Sequence, residues 1–265
     1  MQLFPTRQIF FEAGPIVVHW YGMMYLAAFL IAWLILPVLA RKRGVLLRSE
    51  DAGDLLFAGV LGTIIGGRLG YVLFYAPLYF AENPLEILMV WNGGMSSHGG
   101  MIGVAIAMLI LHTRLKDRVT IWQLGDILVI PIAIGLAFGR LGNFINLELY
   151  GPLTNLPWGI LIPGKEGLHH PTQIYAMVKD LSIAGICLLS LLRSKNDGMT
   201  LGFFFLLYGI LRFLLEYIRV ETASGFDLGF LYFTRGQVLT IPVITIGLII
   251  LWKKSFDHGR LDTSQ

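Results

Sequence analysis

Long apolar runs separated by short polar clusters set the pattern of this chain. Hydrophobic stretches at about 15–40, 52–75, 96–112, 121–141, 172–192, 200–218 and 236–252 approach or exceed the ~20 apolar residues that cross a bilayer as a helix. Transmembrane β-strands would alternate apolar and polar positions over segments of ~10 residues. These runs are continuous, so helices are predicted, because a helix satisfies its own backbone hydrogen bonds in lipid. The pattern predicts an all-α polytopic membrane protein with about seven transmembrane helices. The third span is the least regular, and the apolar stretch before it, Pro84 to Trp91, could form a separate interfacial segment.

Charge orients the spans. One set of connections holds Arg41, Lys42, Arg43 and Arg48, then Arg114, Lys116 and Arg118, then Arg193 and Lys195, then Lys253, Lys254 and Arg260. The other set holds only Arg7, Lys165, Arg219 and Arg235. Cytoplasmic loops carry the excess of Lys and Arg, so the N-terminus is expected outside and the C-terminus in the cytoplasm. The longest outer connection, about 142–171, is rich in Gly, Pro, Asn and aromatic residues. Its length exceeds an ordinary connection and predicts a small extracytoplasmic head inserted in one integral membrane domain, 1–265.

Composition agrees: 55% of residues are hydrophobic and 14% charged, against roughly a quarter charged in soluble domains. The start, MQLFPTRQIFFEAG, lacks the charged n-region and short apolar core of a cleavable signal peptide. The single cysteine, Cys187, excludes an intrachain disulfide and a cysteine-based metal cluster. Within IAGICLLSLL it reads as a small packing residue.

The informative residues are polar ones inside the spans. Arg68, Arg140, Lys179 and Arg212 fall within predicted spans or at their ends, where a cation costs roughly 2.5–3.5 kcal/mol on insertion scales. Lys179, beside Asp180, reads as a snorkelling side chain. Arg68 lies among Gly62, Gly66 and Gly70, a small-xxx-small stripe suited to close helix approach. Whether it touches a ligand or braces helices stays open. Arg140 leads into Asn143, Asn146 and Glu148, concentrating polar groups at one membrane face. Tyr208, Arg212 and Glu216 recur at i, i+4 and i+8, with Arg219 on the same stripe. Glu216 either pins helices through an ion pair or aims Arg212 at an anion. A lipid phosphate is the favoured anion, because guanidinium groups bind phosphate bidentately and keep their charge. An inorganic-anion pore is the competing reading.

In WNGGMSSHGGMIG, residues 91–103, His98 sits among glycines at the expected outer end of the third span. The segment matches neither G-x-G-x-x-G nor G-x-S-x-G, and the chain contains no H-E-x-x-H. His98 is either a hydrogen-bonded structural group or a proton acceptor with a pKa suited to general-base chemistry. The glycines around it would let a backbone or substrate approach closely.

HWYG (19–22), GGRLGYVLFY (66–75), GGMSSHGGMIG (93–103), GRLGNFIN (139–146) with Glu148 and Gly151, HPTQIY (170–175) and YGILRFLLEYIR (208–219) occur in order along nearly the whole chain. This set resembles the prolipoprotein diacylglyceryl transferases. The resemblance implies a multi-pass enzyme of the bacterial inner (plasma) membrane whose active site faces the extracytoplasmic side. It would move diacylglyceryl from phosphatidylglycerol to the lipobox cysteine thiol of a prolipoprotein signal peptide. A thioether would form and glycerol phosphate would leave, as the first step of lipoprotein maturation. Arg140 would contact the head group, and Arg212 would be the second essential cation, supported by Glu216 and Tyr208. Tyr21, Asn143, Asn146, Glu148 and Gly151 match further positions expected to bind substrate, with Arg68 and Gly99 added to that set. His98 would be the base for the substrate thiol. The partners implied are these two substrates and the bilayer; no cofactor, metal or nucleic acid is expected.

Two positions depart from the family's usual pattern. Ala176 stands where a Glu commonly follows HP-x-Q-x-Y, and Asn92 stands where Asp commonly precedes Gly-Gly. The alternative function is an anion or phospholipid transporter using the same arginines, against which the lack of evident inverted repeats counts.

Overall fold

A computed structural model describes residues 8–14, 16–218, 225–227 and 232–262, apart from the side chains of 97, 98, 225–227, 232, 235 and 256–262. A hairpin of β1 (Ile9–Ala13) and β2 (Ile16–His19) precedes α1 (Trp20–Lys42) and α2 (Ser49–Phe74). The short α3 (Pro77–Glu82) and two 3-10 turns, Pro84–Leu88 and Val90–Asn92, lead to α4 (Ser97–Leu115). Then come α5 (Ile121–Asn146), the hairpin of β3 (Ile160–Leu161) and β4 (Leu168–His169), α6 (Thr172–Arg193) and α7 (Met199–Leu215). A last hairpin, β5 (Gly225–Asp227) with β6 (Tyr232–Thr234), precedes α8 (Arg235–Asp262).

Six of these helices, α1, α2, α5, α6, α7 and α8, are long and apolar enough to cross a membrane, and Gly99–Leu115 in α4 is a shorter apolar helix. The protein is therefore a mostly helical, polytopic membrane protein of the all-α class. Three boundaries differ from the sequence reading by five residues or more, one of them the end of α8, which lies at Asp262 where 252 was expected. The first helix begins at Trp20, not near 15, because β-branched Ile16, Val17 and Val18 favour the strand of the hairpin. α5 continues through Asn146, beyond the expected end at 141, so polar residues of the GRLGNFIN run remain on a helix.

Burial follows the logic of lipid as solvent. Leu30 and Leu34 of α1, and Leu188, Leu189 and Leu192 of α6, are exposed, whereas Asp126, Asn143, Gln173, Asp180, Thr200 and Glu216 are buried. Hydrocarbon offers polar groups no hydrogen bonds, so they turn inward.

The chain divides into two compact units. The smaller, Leu36–Leu124, centres on α2 crossing α4. A Cβ on Gly70 would lie 2.8 Å from the Gly99 Cα, and one on Gly66 would lie 2.7 Å from the Gly103 Cα. The glycine stripe thus brings two helix backbones into contact. Ser96 caps α4, its hydroxyl accepting from the Gly99 N–H at 3.2 Å. At the other end Arg118 binds Asp51 through both terminal nitrogens, each at 2.9 Å; this carboxylate pushes the Arg118 pKa further up.

In the larger unit α7 packs on α8 and α6 packs on α7. Gly209 of α7 admits α8, since a Cβ there would lie 3.1 Å from the Ile244 nitrogen. The fully buried Asp126 of α5 accepts from the Gly198 and Leu201 N–H groups, both at 2.8 Å. It caps the start of α7 from a different helix, answering N–H groups that lack an intrahelical partner.

Candidate functional site

Three cations from three helices share one cleft in the larger unit. Arg140 of α5, Lys179 of α6 and Arg212 of α7 line it together with Thr172, Gln173 and Ala176 of α6, Leu215 of α7 and Leu149. The stripe 172, 173, 176, 179 follows helical spacing, so the start of α6 presents one face to this cleft.

The cations are held differently. Arg212 pairs with Glu216 one turn on, as the i, i+4 spacing predicts. Glu216 is buried and also accepts from Thr234 Oγ1 at 3.3 Å. Its carboxylate lies against Gly236, where a Cβ would sit 2.7 Å from Glu216 Cδ. Thr234 and Gln237 cap each other's backbone N–H at 3.0 and 3.1 Å, a capping box that opens α8. Glu216 therefore stands at a helix N-terminus, where negative charge is favourable, while fixing Arg212.

Lys179 does not snorkel. Its side chain is 8% exposed, with Nζ 2.5 Å from Asp180 Oδ1 and 4.3 Å from the centre of the Tyr208 ring. A carboxylate and an aromatic face replace the water that a snorkelling ammonium would seek. Phe204 stacks on Tyr208 at 5.8 Å and backs it.

Arg140 is the loosest of the three. Its hydrogen bond to Asn143 Oδ1 is 3.5 Å long, and among the described residues no carboxylate pairs with it. Asn143 in turn donates to Glu148 Oε2 at 3.3 Å, and Asn146 donates to Glu148 Oε1 at 3.2 Å. Tyr21 packs against the backbone of the same run; a Cβ on Gly142 would lie 2.6 Å from its ring.

The turn after α5 is strained and clamped. Leu147 and Leu149 have φ of 56° and 55°, a region that costs a non-glycine residue about 1–3 kcal/mol. The start of α6 holds them there: Gln173 Nε2 donates to the Glu148 carbonyl at 2.5 Å and Thr172 Oγ1 to the Leu149 carbonyl at 2.7 Å. Gly151 follows, with no room for a side chain; a Cβ would lie 2.7 Å from Thr172 Cγ2 and 2.8 Å from His170 Cβ. His169 Nδ1 lies 2.9 Å from the Gly151 carbonyl oxygen.

The remaining expected site residues belong to the smaller unit. Arg68 spends all five of its N–H groups on backbone carbonyls: Nε on Ile87, one terminal nitrogen on Gly93 and Gly94, the other on Glu86 and Met89, at 2.5–3.2 Å. Phe80 lies beneath its guanidinium at 5.0 Å. No N–H is left over for a ligand, so the geometry favours bracing. Gly93 and Gly94 adopt φ of 81° and 74°, which only glycine takes without strain. Gly99 stands at the α2–α4 crossing, where α2 backbone fills the space a side chain would need. The backbone of His98 is in the first turn of α4; its side chain, like Arg219, lies outside the described residues.

The structure thus gathers Arg140, Asn143, Asn146, Glu148, Gly151, Tyr21, Tyr208, Arg212 and Glu216 within one unit. It adds Lys179, Gln173 and Thr172, which the sequence reading did not place in the site. The helical repeat of polar residues through HPTQIYAMVKD carries the signal for all three.

A family model for prolipoprotein diacylglyceryl transferases matches residues 8–253. Proteins named phosphatidylglycerol–prolipoprotein diacylglyceryl transferase are similar over most of the chain. That of Geobacter sulfurreducens is 40% identical over 252 residues, covering 94% of this chain and 95% of its own. The Pasteurella multocida protein is 42% identical over 253 residues, with 92% and 90% covered. The Polynucleobacter asymbioticus protein is 43% identical over 251 residues, with 92% and 94% covered.

Proposed function

The chain belongs to the prolipoprotein diacylglyceryl transferase family, and we propose on that basis that it transfers diacylglyceryl from phosphatidylglycerol to the lipobox cysteine of a prolipoprotein. The observation that carries this reading is the convergence of Arg140, Lys179 and Arg212 on one cleft. The two carboxylates beside these cations, Asp180 and Glu216, are taken by Lys179 and Arg212. Arg140 keeps its charge for a visiting anion, and a lipid phosphate matches a guanidinium fork.

The reaction is a displacement at carbon. The sulfur of the substrate cysteine attacks the glyceryl carbon bound to the phosphate ester oxygen. A C–S bond forms, the C–O bond breaks, and the electron pair leaves on glycerol phosphate. The attacking thiol belongs to the substrate, so the buried Cys187 has no part in the transfer. Arg140 and Arg212 stabilise the charge that grows on the leaving phosphate, where fixed donors in a water-poor site act more strongly than in bulk solvent. The thiol, with an ordinary pKa of ~8.5, gives its proton to a base, for which His98 is the candidate. The site faces the extracytoplasmic side of the bacterial inner membrane, where a prolipoprotein presents its cysteine.

Purified protein supplied with phosphatidylglycerol and a lipobox peptide should yield the thioether and free glycerol phosphate in equal amounts. A peptide with serine in place of the cysteine should yield neither. Movement of lipid or anion across vesicles with no thioether formed would sink the transferase reading.

A further inference from the structure

Gln173 lines the same cleft as the three cations, yet half of its amide is unanswered. Nε2 donates to the Glu148 carbonyl at 2.5 Å, and that bond fixes which end of the amide is the donor. Oε1 is buried and receives no hydrogen bond from any described residue; the whole residue is 1% exposed. An unanswered buried acceptor is costly and uncommon in native proteins. None of the neighbouring cations answers it: Lys179 pairs with Asp180, Arg212 with Glu216, and the hydrogen bond of Arg140 goes to Asn143.

The chemistry of the missing partner is constrained. A carbonyl oxygen accepts hydrogen bonds and donates none, so it offers nothing to a phosphate and everything to a hydroxyl. Arginine and lysine beside it suit the phosphate. A ligand with an anionic phosphodiester next to a hydroxyl would satisfy both kinds of group at once. We propose that Gln173 Oε1 accepts a hydrogen bond from a head-group hydroxyl of the phospholipid donor, and that Gln173 thereby selects hydroxylated head groups over equally charged ones without hydroxyls. The proposal rests on the transferase reading above. It assigns substrate discrimination to a residue at the start of α6, apart from the arginines that carry the charge.

The test compares phosphatidylglycerol with phosphatidylmethanol, both monoanionic phosphodiesters, as donors to a lipobox peptide. The full chain in mixed micelles should show a kcat/KM about tenfold or more higher for phosphatidylglycerol, the scale of one hydrogen bond to a buried acceptor. Gln173→Met should shrink that preference to about twofold, chiefly by slowing phosphatidylglycerol transfer. Gln173→Glu keeps acceptor oxygens at similar reach, so it should retain the preference even where its overall rate falls. A wild-type protein with no preference overturns the proposal. So does a Met variant that slows both lipids by one common factor, the result expected if Gln173 only holds the Glu148 turn. If Gln173→Met does not fold, the wild-type ratio and the Glu variant still decide, and loss of preference in the latter counts against it. Absence of thioether from wild-type protein with phosphatidylglycerol is a separate outcome, and it removes the transferase reading itself.

Discussion

An arginine with one weak neighbour and an arginine locked to a carboxylate should respond differently to substitution. Arg140→Ala removes a cation that no described carboxylate holds, so folding should survive while transfer falls about 10²–10³-fold, the usual cost of losing one charge-stabilising donor. Arg140→Lys restores the charge without the planar fork and should recover only part of the rate. Arg212→Ala should also cost folded yield, because it removes a charge-assisted bond to the buried carboxylate of Glu216. Thermal unfolding in detergent beside a thioether assay separates the two effects. Leu147 offers a second contrast at this scale. With φ at 56°, Leu147→Ile should destabilise by about 1–2 kcal/mol, since β-branched residues tolerate that region worst. Leu147→Gly relieves the strain and should be neutral within about 1 kcal/mol; melting temperatures of both variants check it. The arginines were visible in the sequence because a cation in a hydrophobic run has no cheap explanation. Lys179 was not, since a flexible ammonium beside an aspartate has one; only its burial over Tyr208 distinguishes the cases. The saturation of Arg68 was equally hidden, because its acceptors are main-chain carbonyls and leave no mark in residue identity.

At the scale of elements, two devices join helices: glycine contacts and borrowed caps. The first was legible on one side only: Gly62, Gly66 and Gly70 mark their own face, whereas Gly99, expected to bind substrate, forms the opposing face with Gly103. Gly66→Leu should therefore disrupt the α2–α4 crossing and lower the yield of folded protein, measured by size exclusion in detergent. The second device was not legible. Asp126 lies in one helix and caps another more than 70 residues later, and no local signature predicts so distant a partner. Asp126→Ala should destabilise by about 2–3 kcal/mol, because two hydrogen bonds to a buried carboxylate are lost. Asp126→Asn keeps one acceptor and should lose less. Length and hydropathy placed most span ends within a few residues, yet α8 runs ten residues past its expected end, and the hairpin of 9–19 and the extension of α5 to Asn146 escaped. Both depend on polar or β-branched residues at a membrane edge, where apolar length is a blunt measure.

For the molecule as a whole, the distribution of polarity is the reverse of a soluble protein: leucines outside, carboxylates and amides inside. A membrane protein was evident from composition and the helical count from the apolar runs, whereas which residues face inward shows only in the fold. The grouping of site residues was legible only in part, since sequence order says little about which helices converge. The larger unit holds its candidate site on three helices and a clamped turn, so a change in the turn should reach the cleft. Gly151→Ala forces a methyl group among Thr172 and His170 and should cost about 1–3 kcal/mol through overpacking. Through the Thr172 and Gln173 clamps it should lower transfer by more than its stability loss explains, measured on the fraction that remains folded.

The buried guanidinium of Arg68 also has a history to explain. Its five acceptors lie at 86–94, all later in the chain, so when α2 is synthesised the groups that neutralise it do not yet exist. At ~5–20 residues per second, some seconds pass between the arginine and its last acceptor. Until those carbonyls arrive, a guanidinium at this depth would face hydrocarbon, so α2 is expected to settle only with them in place. The depth of this helix should therefore depend on the segment that follows it. Removing the charge with Arg68→Leu should let α2 insert in a released fragment ending at residue 76, where the natural sequence should insert poorly.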